Sequence, residues 1–290
     1  MNGPSPSAPA ARRAVPVAVV LAVALALRLA HWAAVRRAPF IGQLAMDSWE
    51  YDRWAREIAG GDWFGHARGV FFQAPLYPYL VAVLFAAVGP RLDAVYLAQI
   101  GFAVAGCYAL YRAGRAMAGE RAGLAAAALA AVYGPFIFYD VQLLKESLAV
   151  TVVCFLLWAM AAARERSAAT GTSALAAAPP GTAAAPAAAG SSASADAARW
   201  LLVGVLLGIL ALLRENALLV APLLLPLVWS AGRAAPVRRV GRVAVFLAGI
   251  GLALAPVALR NGLVGGDFLP TTSQGGVNFY IGNNPRADGT

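Results

Sequence analysis

Met46-Asp47-Ser48-Trp49-Glu50-Tyr51-Asp52-Arg53-Trp54-Ala55-Arg56-Glu57-Ile58-Ala59-Gly60-Gly61-Asp62-Trp63 is a charged, tryptophan-rich run set between apolar segments. Tyr51, Trp54, Ala55 and Ile58 recur at the i, i+3, i+4, i+7 spacing of one helix face, and Asp47 sits where an N-cap belongs. Gly60-Gly61 ends the pattern. The run therefore reads as an amphipathic helix lying at a membrane surface with a carboxylate at its tip, and ionisable groups beside a bilayer usually mark chemistry.

The rest of the chain supplies that bilayer. Of 290 residues, 60% are apolar and only 13% charged, too little polar surface to cover a soluble domain. The net charge of +9 does not imply nucleic acid, because the basic residues fall in short clusters between apolar runs, as membrane orientation requires. Cys107 and Cys154 lie in apolar segments without CxxC or Cys/His spacing, so the sequence offers neither a disulfide framework nor a zinc site. The fold class is all-α: a polytopic membrane protein of about seven transmembrane helices, with an amphipathic interfacial helix pair in the first external loop.

The expected spans are 15–35, 93–111, 122–139, 147–163, 199–213, 217–231 and 240–259. The first is too long for a signal-peptide core and reads as retained. Between the first two lies Ala74-Pro75-Leu76-Tyr77-Pro78 to Gly89-Pro90, bracketed by prolines and shorter than the roughly 20 residues a crossing needs. If it skims the interface, twelve of the twenty-three basic residues fall inside, with only Glu120, Glu165 and Asp196 as acids. If it crosses, the Arg-rich turns face outward, against the positive-inside tendency. The first alternative gives a cytoplasmic tail at 1–14 and a transmembrane module at 15–163 with an external loop at 36–92. Next come a disordered Ala/Pro/Gly/Ser-rich cytoplasmic linker at 164–198, further spans over 199–259 and an external segment at 260–290. The polar, turn-like end reads as the close of an N-terminal module of a longer protein.

The external face then gathers Asp47, Glu50 and Asp52, Asp140, Lys145 and Glu146, and Arg214 with Glu215. At the dry edge of a bilayer a carboxylate can act as general base toward a hydroxyl, and a cation can stabilise a phosphate leaving group. Each residue also has a plainer reading. Asp47 serves as an N-cap, Glu146 favours a helix N-terminus, Trp49, Trp54 and Trp63 anchor at the interface, and Arg28 and His31 snorkel or pair with an external acid. Asn278, Tyr280, Asn283 and Asn284 either build turns with Gly275-Gly276 and Gly282 or bind sugar.

Asp47 with its aromatic helix, Gly61-Asp62-Trp63, Ala74-Pro75-Leu76-Tyr77-Pro78, Leu144-Lys145-Glu146-Ser147-Leu148, Leu213-Arg214-Glu215-Asn216 and Gly275 to Pro285 together resemble the GT-C class of integral-membrane glycosyltransferases. The nearest members are the protein O-mannosyltransferase, aminoarabinose transferase and lipopolysaccharide galacturonosyltransferase-like group. Many members carry Asp-Glu where this chain has Asp47-Ser48. The resemblance implies inverting transfer from a polyprenyl-phosphate-linked sugar donor to an exported lipid, glycan or protein acceptor at the outer face of the plasma membrane. Asp47 would be the general base and Glu146 a second catalytic acid. Lys145 or Arg214 would hold the departing phosphate, with Glu50, Asp140, Glu215, Asn278, Tyr280 and Asn283 around the substrate. No protein metal-ligand set stands out, and because metal dependence varies across the class, a divalent ion stays open. No GxGxxG or Walker A loop is present for a nucleotide donor. A transporter or flippase of lipid-linked sugars is the alternative, but it predicts repeated halves and charged or broken mid-span helices, whereas here the ionisable residues lie mainly in loops and no half repeats.

Overall fold

A computed structural model describes residues 8–39, 41–176, 186–232, 235–285 and 287. It is all-helical, with no strand among the described residues. The α-helices are α1 (Ala8–Val35), α2 (Asp47–Ala59), α3 (Leu76–Val88), α4 (Leu92–Ala118), α5 (Glu120–Val132), α6 (Gly134–Tyr139), α7 (Glu146–Ala176), α8 (Pro186–Ala211), α9 (Val220–Trp229), α10 (Pro236–Leu263) and α11 (Gln274–Asn283). Five segments among them are long and apolar enough to cross a membrane: Val15–Val35, Leu92–Ala118, Glu146–Ser167, Ser194–Ala211 and Pro236–Leu263. The protein is membrane-integral.

The other two expected spans are interrupted. Over 122–139 the helix stops at Val132, Tyr133 turns extended, and Pro135 opens α6. Proline lacks the N–H that would continue the ladder, and its ring clashes with the carbonyl one turn back, so one continuous helix through Pro135 is disfavoured. Over 217–231 a 3-10 turn at Glu215–Leu219 precedes α9, which contains Pro226. The stretch read as a linker is helical at its described ends, to Ala176 and from Pro186, while 177–185 lie outside the described residues.

The chain forms two compact units. The first comprises 1–49 and 91–165. Here α4 and α5 form a hairpin whose turn glycine, Gly119, takes φ +87. A Cβ on Gly123 would sit 2.6 Å from the Tyr111 carbonyl oxygen, so only glycine admits the approach. Helix α1 packs against this hairpin through two small clusters, Ala24 with Cys107, Ala130 and Ala131, and Val17 with Tyr111 and Ala127.

The second unit comprises 50–90 and 166–290. Its spine is the α8–α10 pair, joined along a small-residue seam. A Cβ on Gly204 would fall 2.0 Å from the Phe246 carbonyl oxygen, one on Gly249 2.3 Å from that of Leu201, and one on Gly208 2.6 Å from Ala253 Cβ. Gly204 and Gly208, like Gly249 and Ala253, are four apart, the spacing that brings membrane helices into backbone contact.

In the same unit the predicted stripe of α2, Tyr51, Trp54, Ala55 and Ile58, is fully buried. Its cover is protein, with Tyr77 and Phe71 among the residues packed on it. Tyr51 meets the Tyr77 ring edge-on at 5.1 Å, and Trp54 meets Phe71 at 5.1 Å. Trp54 is thus a core residue, whereas Trp49 and Trp63 remain exposed.

Candidate functional site

In the first unit the polar residues converge on Asp140, just beyond α6. Arg28 of α1, 1% exposed, donates from Nε to Asp140 Oδ2 at 2.7 Å. Its other nitrogens reach the Ala131 and Ala130 carbonyls at 3.1 and 3.4 Å and, within its own helix, the Ala24 carbonyl at 3.2 Å. Those carbonyls lie in the last turn of α5, where the helix interruption leaves acceptors without intrahelical partners. The Ser147 hydroxyl donates to Asp140 Oδ1, and Gln99 Nε2 donates to the Asp140 and Gln142 carbonyls at 3.0 and 2.9 Å. Both carboxylate oxygens of Asp140 are therefore engaged. Of the plainer alternatives for Arg28, pairing with an acid is the one observed.

Lys145 and Glu146 follow in the chain, between Asp140 and Ser147. Lys145 is 8% exposed, and among the described residues its ammonium has no hydrogen bond or ion pair. Glu146 is the first residue of α7, half-buried. A cavity of about 270 Å³ opens between α4, the α5–α6 junction and α7, mostly apolar, with Arg28, Asp140, Glu146 and Ser147 at its polar end. Asp47 opens α2 and is exposed. It is the first helical residue, one place inside the expected cap, at the N-terminal end where an acid is favoured.

In the second unit a larger cavity of about 630 Å³ lies beside α2. Its polar wall is a closed ring of ion pairs. Arg53 reaches Glu50 at 2.7 Å and Glu57 at 3.6 Å, and Arg68 reaches Glu50 at 2.7 Å and Glu57 at 2.6 Å. Burial opposes ionisation of Glu50, but the hydrogen bonds and charges of Arg68 and Arg53 outweigh it and hold its carboxyl below the ordinary value. Asp62, hydrogen-bonded to the His66 ring and backbone, is also lowered.

The loop carrying Arg68 is pinned by the end of α10. Arg260 donates to the carbonyls of Phe64, Gly65 and Gly69 and lies 3.8 Å from the Phe71 ring centroid. Asn261 accepts from the Phe71 amide at 3.2 Å and donates to the Leu269 and Thr271 carbonyls, both at 3.0 Å. Sequence reasoning missed Arg53, Glu57, Arg68, Gln99, Ser147, Arg260 and Asn261 as site-building residues. For Arg260-Asn261 a signal existed: two strong hydrogen-bonding side chains directly end an apolar run.

The other predicted residues of the second unit lie outside the lining of its cavity. Arg214 is exposed at the start of the 3-10 turn. Glu215, half-buried, has its Oε2 without a hydrogen-bond partner among the described residues. Asn278, Tyr280 and Asn283 are exposed on α11, a helix with no buried residue, where the sequence offered turns. Asn283 donates back to the Phe279 carbonyl at 2.8 Å, within its own helix. Among the described residues no group of three or more His, Cys, Asp or Glu could hold a metal ion.

An all-helical membrane protein with buried charge at the ends of its spans is the class that fold and site define. Within that class, residues 72–183 match the family of dolichyl-phosphate-mannose-protein mannosyltransferases, which supports a GT-C class glycosyltransferase. No curated protein matches the chain. The matched stretch contains Asp140, Lys145, Glu146 and Ser147.

Proposed function

We propose that the protein transfers a sugar from a polyprenyl-phosphate donor to an exported lipid, glycan or protein acceptor at the outer face of the plasma membrane, with inversion. The observation that carries this reading is Lys145, a cation with a buried stem and an uncommitted ammonium. It lies in the turn between Asp140 and Ser147, which are hydrogen-bonded to each other, inside the segment similar to the mannosyltransferase family. A departing phosphate needs such a charge, preorganised where water is scarce.

Two contacts, one in each unit, support the path of the chain around the first loop. Trp32, near the end of α1, donates to Asp93 in the first turn of α4 at 2.9 Å. This supports a connection from α1 to α4 that leaves and re-enters at one membrane level. In the second unit the Leu76 amide donates to the Leu212 carbonyl at 3.2 Å, tying the start of α3 to the end of α8. Helices α5 and α6, at 13 and 6 residues, add to about 28 Å of rise, close to the hydrocarbon thickness. Counting that interrupted helix and the 3-10/α9 segment gives seven crossings.

In the reaction Asp47 takes the proton from the acceptor hydroxyl as its oxygen bonds to the anomeric carbon. The bond from that carbon to the phosphate oxygen breaks, and the electron pair leaves with the phosphate toward Lys145. Glu146 supplies a second carboxylate, Arg214 a second cation, and Glu215, Asn278, Tyr280 and Asn283 further substrate contacts. Asp140, with both oxygens engaged, acts as a positioning residue that fixes the turn bearing Lys145. Asp47→Asn, assayed in reconstituted membranes with polyprenyl-phosphate sugars, is expected to lower turnover by about 10²–10⁴-fold with insertion intact. Undiminished turnover rejects Asp47 as base.

A further inference from the structure

The 630 Å³ cavity of the second unit is larger than the one at Asp140, and nothing in the reaction above uses most of its wall. Its size falls in the range of small-molecule sites, about 300–1,000 Å³. Three features define what it takes. The first is charge. Arg53 and Arg68 are both forked onto Glu50 and Glu57, so these four charges cancel, and the remaining acid of the lining, Asp62, is bonded to the His66 ring. A phosphate would meet guanidinium groups already paired, and a cation would meet carboxylates already paired.

The second is residual hydrogen bonding. Each carboxylate has about four lone-pair sites and each guanidinium five donors, more than the ring of ion pairs consumes. Trp54, which lines the cavity and is 2% exposed, adds an indole N–H with no partner among the described residues. A buried donor of this kind costs free energy unless a ligand or water satisfies it. The third is an open aromatic face. Arg68 covers the Trp54 ring at 4.4 Å and Arg260 covers Phe71, but Phe72, also lining the cavity, is 48% exposed.

We infer that this cavity is a saccharide-binding site, in which a neutral sugar ring lies on Phe72 while its hydroxyls bond to the Glu50–Arg53–Glu57–Arg68 ring and to Trp54 Nε1. A dense, self-neutralised set of forked donors and acceptors beside one aromatic face suits vicinal hydroxyls and an apolar sugar face. A peptide acceptor would instead look for a run of apolar side-chain pockets or an open strand edge. On the glycosyltransferase reading, on which this assignment of role rests, the bound saccharide is the acceptor.

The test uses the full chain in nanodiscs, without donor. Saturation-transfer NMR is run with mannobiose, lactose and maltotriose, and separately with inorganic phosphate and a Ser/Thr-rich peptide. At least one saccharide is expected to receive saturation on its ring protons. Phe72→Ala and Arg53→Ala, both at partly exposed positions, should each weaken that binding by about tenfold, the scale of losing one stacking or charged hydrogen-bond contact. Saccharide binding unchanged in both variants, no binding by any saccharide, or competition by phosphate or peptide in place of saccharide would each overturn the proposal. A chain that binds saccharide but transfers none from any polyprenyl-phosphate donor loses the transferase reading alone. A chain that transfers sugar with an acceptor KM unmoved by Phe72→Ala loses this site alone.

Discussion

Replacing Arg28 by Leu removes one side chain and strands three groups. Asp140 loses its 2.7 Å ion pair at a position 2% exposed, and the Ala131 and Ala130 carbonyls lose donors at 3.1 and 3.4 Å. Breaking a buried pair from one side costs about 3–5 kcal/mol, because the remaining charge stays buried. Each abandoned carbonyl adds up to about 1–3 kcal/mol, less whatever the α5 end recovers by shifting. Against a total stability of about 5–15 kcal/mol, this single change consumes a large fraction. Asp140→Leu should be comparably harmful, leaving a buried guanidinium with carbonyls alone. The double replacement removes both charges and is expected to be milder than the sum of the two by several kcal/mol. Arg28→Lys should fall between, since one ammonium cannot fork to the carboxylate and to two carbonyls at once. Equilibrium unfolding in detergent micelles titrated with dodecyl sulfate, followed by helicity, reads all four. Singles that add to the double within about 0.5 kcal/mol would refute the coupling.

Three further outcomes are expected. Gly249→Leu should separate α8 from α10, since even its Cβ would sit 2.3 Å from the Leu201 carbonyl oxygen; a loss of at least about 1–3 kcal/mol in the same unfolding assay is anticipated, and unchanged stability would discount the seam. Arg260→Met should free the 64–69 backbone from three carbonyl contacts, seen as faster amide exchange over that loop while α8 and α10 stay protected. Acidification should loosen α2. Because the folded pKa of Glu50 is depressed, its contribution is full above the ordinary carboxyl value and disappears as pH falls through the folded one. The protection of the α2 amides, measured against the intrinsic exchange rate at each pH, should therefore fall on going from neutral to about pH 3, and a Glu50→Gln variant showing the same acid response would remove Glu50 as the cause.

How much of this was legible depends on the range of the interaction. The α2 face was read residue for residue, because helical periodicity is a local property and Tyr51, Trp54, Ala55 and Ile58 obey it. What covers that face was not readable. A stripe facing lipid and a stripe facing Phe71 and Tyr77 have the same composition, and only tertiary contact separates them. The ends of the spans behaved likewise. Apolar runs at Leu92–Ala118 and Pro236–Leu263 were apparent, whereas 122–139 read as one continuous helix because Tyr133-Gly134-Pro135 weighs little in a hydropathy average. The ion-pair ring split along the same line. Arg53 with Glu50 and Glu57 follows helical i, i+3 and i, i+4 spacing, but the return of Arg68 needs a loop whose path is set by Arg260, nearly two hundred positions later.

Two features that look anomalous separately explain each other. A guanidinium inside a span is expensive, and so is a helix that stops short of the membrane edge with its carbonyls open. Arg28 is the charge, α5 is the interrupted helix, and the same five N–H donors answer both. The carbonyls of Ala130 and Ala131 partly replace the solvent Arg28 lacks, and Asp140 neutralises it. The cost is then shared by one network instead of being met twice, and the turn that follows, carrying Lys145 and Glu146 into α7, is held by Ser147 and Gln99 instead of being left to wander. An uninterrupted helix over 122–139 would have offered Arg28 no open acceptors. A neutral residue at 28 would have left the break unsatisfied. The pairing therefore accounts for why the chain tolerates a short α5.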